Sequence, residues 1–270
     1  MSSLLEDGRS AGTGRIQRGA RSRWTNRSSA ERWNFEVGRP GKARLNRLPT
    51  LEPRLQAVLE YIRADSHADI GSDHAYLPLH LLASNRVRRC IAVEKNLEPL
   101  LRATQNAERF RLPLETRHGN GLRALEWGEV SSVSFCGMGV GTIVGLLERD
   151  SHLLEGINSV VTQPNDWAEP LRRWAWKAGF WLEDERLVPR FWNYPVLHFK
   201  RGEGRDPAYD FVPLELGFTC GPVLLKNKDL LLISTLERQK TRLEGLLSHS
   251  NPRVEGDLKR VREALEWLND

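Results

Sequence analysis

Along residues 51–201, short apolar runs alternate with stretches whose apolar positions recur every three or four residues. The first periodic stretch, Leu51, Leu55, Val58, Leu59 and Ile62, predicts a helix with Thr50 as its cap. An extended run from His67 to Ile70 follows. Pro78 is expected to open a helix reaching about Ser84, because proline is tolerated in a first helical turn. Further strands are expected at Cys90–Glu94, Leu114–His118, Ser131–Gly137 and Asn158–Pro164. Helices are expected over Leu97 to about Arg109, from about Gly141, and from about Trp167 to Ala178. Two longer extended stretches, Phe180–Pro189 and Tyr194–Arg201, close the region with only "RFWN" between them.

Strands alternating with helices imply right-handed crossovers and a mostly parallel sheet. Four residues are too few for a crossover helix, so the last two strands form an antiparallel hairpin. Five βα units followed by such a hairpin make the seven-stranded, Rossmann-like α/β plan of the class I methyltransferases. Simple dehydrogenase domains usually lack that hairpin. After Gly202 a polar, turn-rich connection, "GEGRDPAYDFVP", leads to Leu225, Leu232, Leu236, Leu243 and Leu247 on one helical face. Beyond "HSNP", where Asn251 is the expected cap, Val254, Leu258, Val261, Leu265 and Leu268 alternate by four and three. These two helices predict an antiparallel helical hairpin. The expected division is an extension over 1–50, a sheet domain over 51–202, and a linker with the hairpin over 203–270.

Charge sharpens that division. Residues 1–50 hold 11 Lys/Arg against 4 Asp/Glu, net +7, whereas the other 220 hold 29 against 31, net −2. The basic segment has no hydrophobic period and reads as disordered. It is either an arm that adds phosphate contacts to a nucleic acid or an incidental extension. No apolar run approaches the roughly 18 residues of a membrane span, and the polar N-terminus lacks a secretory apolar region. A soluble, cytoplasmic protein is expected. Cys90, Cys136 and Cys220 form no C-x-x-C pair, so reduced thiols and no metal site are expected.

In open α/β sheets, ligands bind at the carboxyl ends of the strands, where the strand order reverses. Here those ends carry Asp69-Ile70-Gly71-Ser72-Asp73-His74, then Glu94, "HGNGL", "CGMGVG" and "TQPN". Gly71 permits a tight turn and close approach of a ligand to the backbone. Glu94 lies 25 residues after Asp69, the spacing at which a second-strand acid hydrogen-bonds ribose hydroxyls. Asp73 would repel a pyrophosphate. It suits a cationic nucleoside instead, and S-adenosylmethionine carries a sulfonium and an ammonium.

"DIGSDHAYLP", with "GNGL" downstream, "GMG" after the fourth strand and "QPN" after the fifth, resembles the bacterial tRNA (adenine-N1)-methyltransferases that modify adenosine 22. The resemblance runs from about Leu51 to the C-terminus. It implies a Rossmann-like methyltransferase domain followed by a coiled-coil hairpin, S-adenosyl-L-methionine as cofactor and tRNA as partner. Carried over by motif, Asp69, Gly71, Glu94 and Gly137 line the cofactor site, and Ser72, His74, Gly121 and Met138 belong to the same motifs. Asn120 falls beside the cofactor's adenine. The family commonly has Asp there, but an Asn carbonyl still accepts from the adenine amino group. A second departure is Val140, where the family often continues with glycine.

The implied reaction is in-line displacement at the cofactor methyl by adenine N1, whose lone pair needs no strong base. The positive charge growing on the purine needs a carboxylate near the adenine edge, and Asp73 is the first candidate. His74 and Tyr76 are placed to position the base, Tyr76 by stacking, and Asn165 to hydrogen-bond its edge. The alternative for Asp73 and for Asn165 is a helix cap. Arg172, Arg173, Lys177, Arg186 and Arg190 are expected to form a basic rim, while Trp167, Trp174, Trp176 and Trp181 pack the helix onto the sheet. A monomer or weak homodimer is expected. Two other classes stay open: a methyltransferase acting on a small molecule or protein, and an inactive RNA-binding module of the same fold.

Overall fold

The computed structural model describes residues 47–246 and 252–269. Most of the basic N-terminal segment, Leu247 and Asn251 lie outside the described residues. Helix α1 spans Pro53–Tyr61, with Glu52 as its cap in place of Thr50. The residue before a proline is pushed out of the helical region, and Glu52 is accordingly extended at φ −59°, ψ 147°. Pro53 then takes the first helical position, where no N–H is needed. Strand β1 (Ala64–Ile70) starts three residues earlier than expected. Helix α2 (Tyr76–Ala83) opens two residues before Pro78, which costs no hydrogen bond because the first-turn amides have no intrahelical partner.

Next come β2 (Val87–Glu94), α3 (Leu97–Phe110), β3 (Leu114–His118), β4 (Ser132–Met138) and α4 (Val140–Arg149). They are followed by β5 (Ser159–Pro164), α5 (Glu169–Ala178), β6 (Phe180–Pro189) and β7 (Asn193–Arg201). Helix α5 starts after Trp167, which packs with the C-terminal helices. The seven strands lie in the order β3-β2-β1-β4-β5-β7-β6. Strands β1 to β5 pair in parallel, while β7 runs antiparallel between β5 and β6. The order reverses between β1 and β4, so the crevice for a ligand opens there.

Strand alternation builds the two apolar layers. On one face Cys90, Val161 and Val196 pack against Val58 of α1, Ile62 just after it, and Leu81 of α2. On the other, Ile91, Val133, Phe135 and Phe199 pack against Ile143 and Leu147 of α4 and Leu171 and Trp174 of α5. Trp174 is thus core, whereas Trp167, Trp176 and Trp181 are half-buried.

The C-terminal region is more broken than its leucine spacing predicts. Helices α6 (Leu214–Cys220) and α7 (Pro222–Lys226) precede α8 (Leu230–Leu246) and α9 (Pro252–Asn269). Leu225 belongs to α7, cut off from Leu232 by a turn with Lys228 at φ 48°. Asp229 then accepts from Leu232 N at 2.9 Å, as a helix cap does. The polar connection also buries Asp206 and Tyr209, and Asp206 accepts from Leu182 N at 2.7 Å and Ala208 N at 2.9 Å. Leu232, Leu236, Val261, Leu265 and Leu268 close one cluster that also holds Leu187 of β6.

Arg172, expected on the basic rim, is buried. Its Nη2 donates to Glu185 Oε2 at 2.7 Å and its Nη1 to Phe218 O at 3.0 Å. Of the other expected rim cations, Arg173 pairs with Glu169 and Glu215, Arg186 with Glu60, and Arg190 with Glu52. Only Lys177 of the five is exposed with no such pairing among the described residues.

Candidate functional site

At the end of β1, His67 and Asp69 point to the same face, as do Ser132 and Ser134 on the adjacent β4. The register sets His67 beside Ser132 and Asp69 beside Ser134. Ser134 Oγ donates to Asp69 Oδ1 at 2.6 Å, and Ser72 Oγ donates to Asp69 Oδ2 at 2.6 Å. His67 Nε2 lies 2.9 Å from Ser134 Oγ, and its Nδ1 lies 3.0 Å from Ser132 Oγ. Since Ser134 spends its proton on the carboxylate, it accepts from His67. This puts the imidazole proton on Nε2 and leaves Nδ1 to accept from Ser132. Burial pushes the His67 pKa down to about 3, so the ring is neutral. The result is a fully buried donor chain running from Ser132 through His67 and Ser134 into Asp69.

Burial also raises the Asp69 pKa; the two serine hydroxyls oppose that shift and the nearby Glu94 charge adds to it. Glu94 is itself buried at the end of β2, and its Oε1 accepts from Asn96 N at 2.8 Å. The chain turns away from Asp69 at Gly71, whose φ of +79° favours glycine. A Cβ there would stand 2.5 Å from Met138 Cε, so Met138 lies directly across the turn. Met138 is aimed there by a bulge at Gly137, where β4 slips its register against β5 and φ is +71°.

Asp73 is held very differently. It is exposed, 3.4 Å from Arg102 Nη2 and 3.6 Å from His74 Nε2. His74 stacks on Tyr76 with ring centroids 5.5 Å apart and planes 16° apart. Asn106 Nδ2 fixes the backbone of this loop by donating to His74 O at 3.0 Å. Asp73 caps no helix: α2 is preceded by Ala75 in the left-handed region, with no side-chain cap. Asn165 is not a cap for α5 either, whose cap position is Ala168. Instead, Asn165 Nδ2 donates to Gly137 O at 2.6 Å, leaving its carbonyl oxygen to accept.

A cavity of about 470 Å³ brings together Asp69, Gly71, Ser72, Asp73, His74, Tyr76 and Gly137. Glu94, Asn120, Gly121, Met138 and Asn165 are not part of its lining. Met138 and Asn165 border it through Gly71 and Gly137. Asn120 is exposed on the next turn, where Arg149 Nη2 donates to its backbone carbonyl at 2.7 Å. Gly121 has φ +74°, and a Cβ there would meet Leu146 at 2.8 Å, so its role is to let that turn pack on α4.

Sequence reasoning missed four residues. Arg54 lines the cavity and reaches over Gly137, and its Nη1 donates to the buried Gln163 Oε1 at 2.5 Å. Gln163 stands in the "TQPN" turn with no role assigned to it there, and nothing in the local sequence marks its pairing with Arg54, 109 residues away. The signal for His67 and Ser134 is H-x-D on one strand and S-x-S on another, each pair on one face by alternation, but only the strand register brings the two pairs together. Among the described residues, no group of three or more His, Cys, Asp or Glu is placed to hold a metal ion, and no helix is long and apolar enough to cross a membrane.

The profile of the tRNA (adenine(22)-N(1))-methyltransferase family matches residues 67–270. A Bacillus subtilis tRNA (adenine(22)-N(1))-methyltransferase is 36% identical over 229 residues, covering 82% of this chain and 96% of its own. The structure of M. capricolum TrmK in complex with the natural cofactor product S-adenosyl-homocysteine superposes with a TM-score of 0.72 at 27% identity, over 81% of this chain and 99% of that one. A Streptococcus pneumoniae protein in complex with S-adenosyl-L-methionine gives a TM-score of 0.72 at 25% identity, over 80% and 100%.

Proposed function

The chain belongs to the tRNA (adenine(22)-N(1))-methyltransferase family, and from that premise we propose how its own residues carry methyl transfer to N1 of adenosine 22. The activity is S-adenosyl-L-methionine-dependent methylation of tRNA. The observation that carries the residue assignment is the pair of carboxylates flanking one left-handed glycine turn at the sheet's switch point, one buried and one exposed.

The residues fit the cofactor by charge and by space. Asp69 and Glu94 put two buried carboxylates at neighbouring strand ends, which suits a ligand bearing ammonium and ribose donors and opposes a pyrophosphate. Gly71 leaves its backbone open to close approach. In this reading Asp69, Gly71, Ser72, Gly137 and Met138 hold the methionine end, Glu94 the ribose, and Asn120 with Gly121 the adenine. S-adenosyl-L-methionine supplies an electrophilic methyl group on a sulfonium.

The remaining work falls to the loop after Gly71. Asp73 accepts a hydrogen bond from the exocyclic amino group of the target adenine and stabilises the positive charge that builds on the purine. The stacked His74 and Tyr76 rings offer the base an apolar face. Asn165, oriented by the hydrogen bond its Nδ2 donates to Gly137 O, keeps its carbonyl oxygen for the adenine edge. Residues 51–202 act as the catalytic part and 203–270 as the tRNA-gripping part. We infer a cytoplasmic enzyme from its tRNA substrate class, and a monomer or weak homodimer is the state we expect for it.

The test is transfer of labelled methyl from S-adenosyl-L-methionine to tRNA transcripts by wild type and Asp73→Ala, with cofactor binding measured for both. Label recovered as 1-methyladenosine with wild type alone, while both bind cofactor, is expected. Equal transfer by the two proteins would remove Asp73 from the chemistry. Binding without any transfer by wild type would favour the inactive module.

A further inference from the structure

The tip of the β6–β7 hairpin, Arg190-Phe191-Trp192, carries the most exposed large apolar side chain among the described residues, Phe191 at 91%. Because β7 runs antiparallel to β5, this tip stands at the same end of the sheet as the carboxyl ends of β1 and β4. Polar contacts tie it to the cavity there. Arg190 Nη1 donates to Glu52 Oε2 at 3.1 Å, and Arg54 Nε donates to the same oxygen at 2.9 Å. Both Glu52 and Arg54 line the cavity that holds Asp73.

On the tip's other side, Trp192 lines a groove of about 540 Å³ together with Trp167, Arg238 and Arg242. Arg238 donates from Nε to the Ser234 carbonyl at 3.2 Å, and among the described residues neither arginine pairs with a carboxylate. The base of the tip is tied to α8: Asn193 Nδ2 donates to Thr235 Oγ1 at 2.7 Å and to Leu231 O at 3.3 Å. A phenyl ring left in water gains little from burial on folding. Its place between a base-accepting cavity and two unpaired cations fits a polyanion with stacked rings.

We propose that Phe191 enters the tRNA stack beside adenosine 22 and holds the target base out toward Asp73, while Arg238 and Arg242 take the adjoining phosphates. This rests on the tRNA-methylating activity assigned above. Turning a base out of a stack is costly, and a side chain that occupies the vacated space offsets that cost, as apolar wedges do elsewhere. The Arg190 guanidinium, 5.6 Å from the Phe191 ring centroid, follows the ring to the backbone.

The experiment compares wild type, Phe191→Ala and Phe191→Trp on two transcripts: one folded tRNA, and the same tRNA altered so that adenosine 22 is unpaired. On the folded tRNA, Phe191→Ala is expected to lower kcat/KM by about 10-fold or more, the scale of one lost stacking contact. Phe191→Trp is expected to restore most of it. On the unpaired transcript the Phe191→Ala loss is expected to shrink to about 2-fold, with cofactor affinity at the wild-type value throughout. Equal losses on both transcripts, or none on either, overturn the wedge and leave Phe191 as a contact for something else. Failure of wild type to methylate either transcript would instead overturn the activity and this proposal with it.

Discussion

Asp69 and Asp73 lie four residues apart on either side of Gly71, yet the structure treats them in opposite ways. Asp69 is buried, with both oxygens taken by serine hydroxyls and a neutral histidine behind one of them. Asp73 is exposed, and its two neighbours stand at 3.4 and 3.6 Å. A carboxylate saturated by fixed donors is oriented for a ligand that is always bound in the same way. A carboxylate left loosely held in water keeps its lone pairs for a transient partner. On the proposed reading, the site separates holding from reacting within a single loop.

The largest effect that could break this contrast is at Asp73. Asp73→Asn is expected to lower methyl transfer about 100- to 1,000-fold, the range for losing one transition-state charge contact. Its stability should stay within about 0.5 kcal/mol of wild type, because the group is exposed. Quantifying 1-methyladenosine by mass spectrometry beside a denaturant titration checks both halves.

Asp69→Asn should act in the opposite sense. Cofactor affinity is expected to fall about 10-fold or more, by calorimetry, from loss of charge-assisted hydrogen bonds. Stability should not fall. The Asp69 pKa is raised by burial, so the folded chain holds this proton more tightly than the unfolded chain. Its contribution is therefore fully present below the unfolded value and is lost as pH rises through the elevated folded value. The variant should lack that decline.

His67 carries the reverse slope. Its folded pKa, pushed down to about 3 by burial, means that the unfolded chain takes up the proton first as pH falls below 6.5. Its contribution is present above that value and is lost on acidification, by about 2 kcal/mol between pH 6.5 and 5. His67→Gln should flatten this part of the pH–stability curve measured by urea unfolding. The smallest change is Asn120→Asp, which should tighten cofactor binding a few-fold by replacing an amide acceptor with a carboxylate.

Much of this was legible from sequence where the chain obeys local rules. The period-2 and period-3.6 patterns located all seven strands, and "RFWN" was too short for anything but a hairpin. The glycine turns after β1 and β4 and the acid ending β2 stood out because their residue types are constrained by backbone shape. What was not legible depends on distant partners. Arg172 looks like any helix-surface cation until Glu185 and the Phe218 carbonyl are found around it. Leu225 kept the leucine spacing although Lys228 turns left-handed and ends its helix. Thr50 lost the cap to a steric rule about the residue before Pro53. The donor chain behind Asp69 needed strand register, which periodicity alone does not supply.

The buried Arg172–Glu185 pair has a consequence for synthesis. Glu185 Oε1 accepts from Val223 N at 3.1 Å, and a Cβ at Gly221 would meet that oxygen at 2.5 Å. Gly221 and Val223, which close over this charge, thus lie more than thirty residues downstream of the end of β6 at Pro189. A chain emerging from the ribosome completes all seven strands before it can close their outer edge. Nascent chains halted just after Arg201 should be cut by protease at β6, and those long enough to free α7 should resist. The expected order of maturation leaves the edge that faces the C-terminal helices as the last part to set.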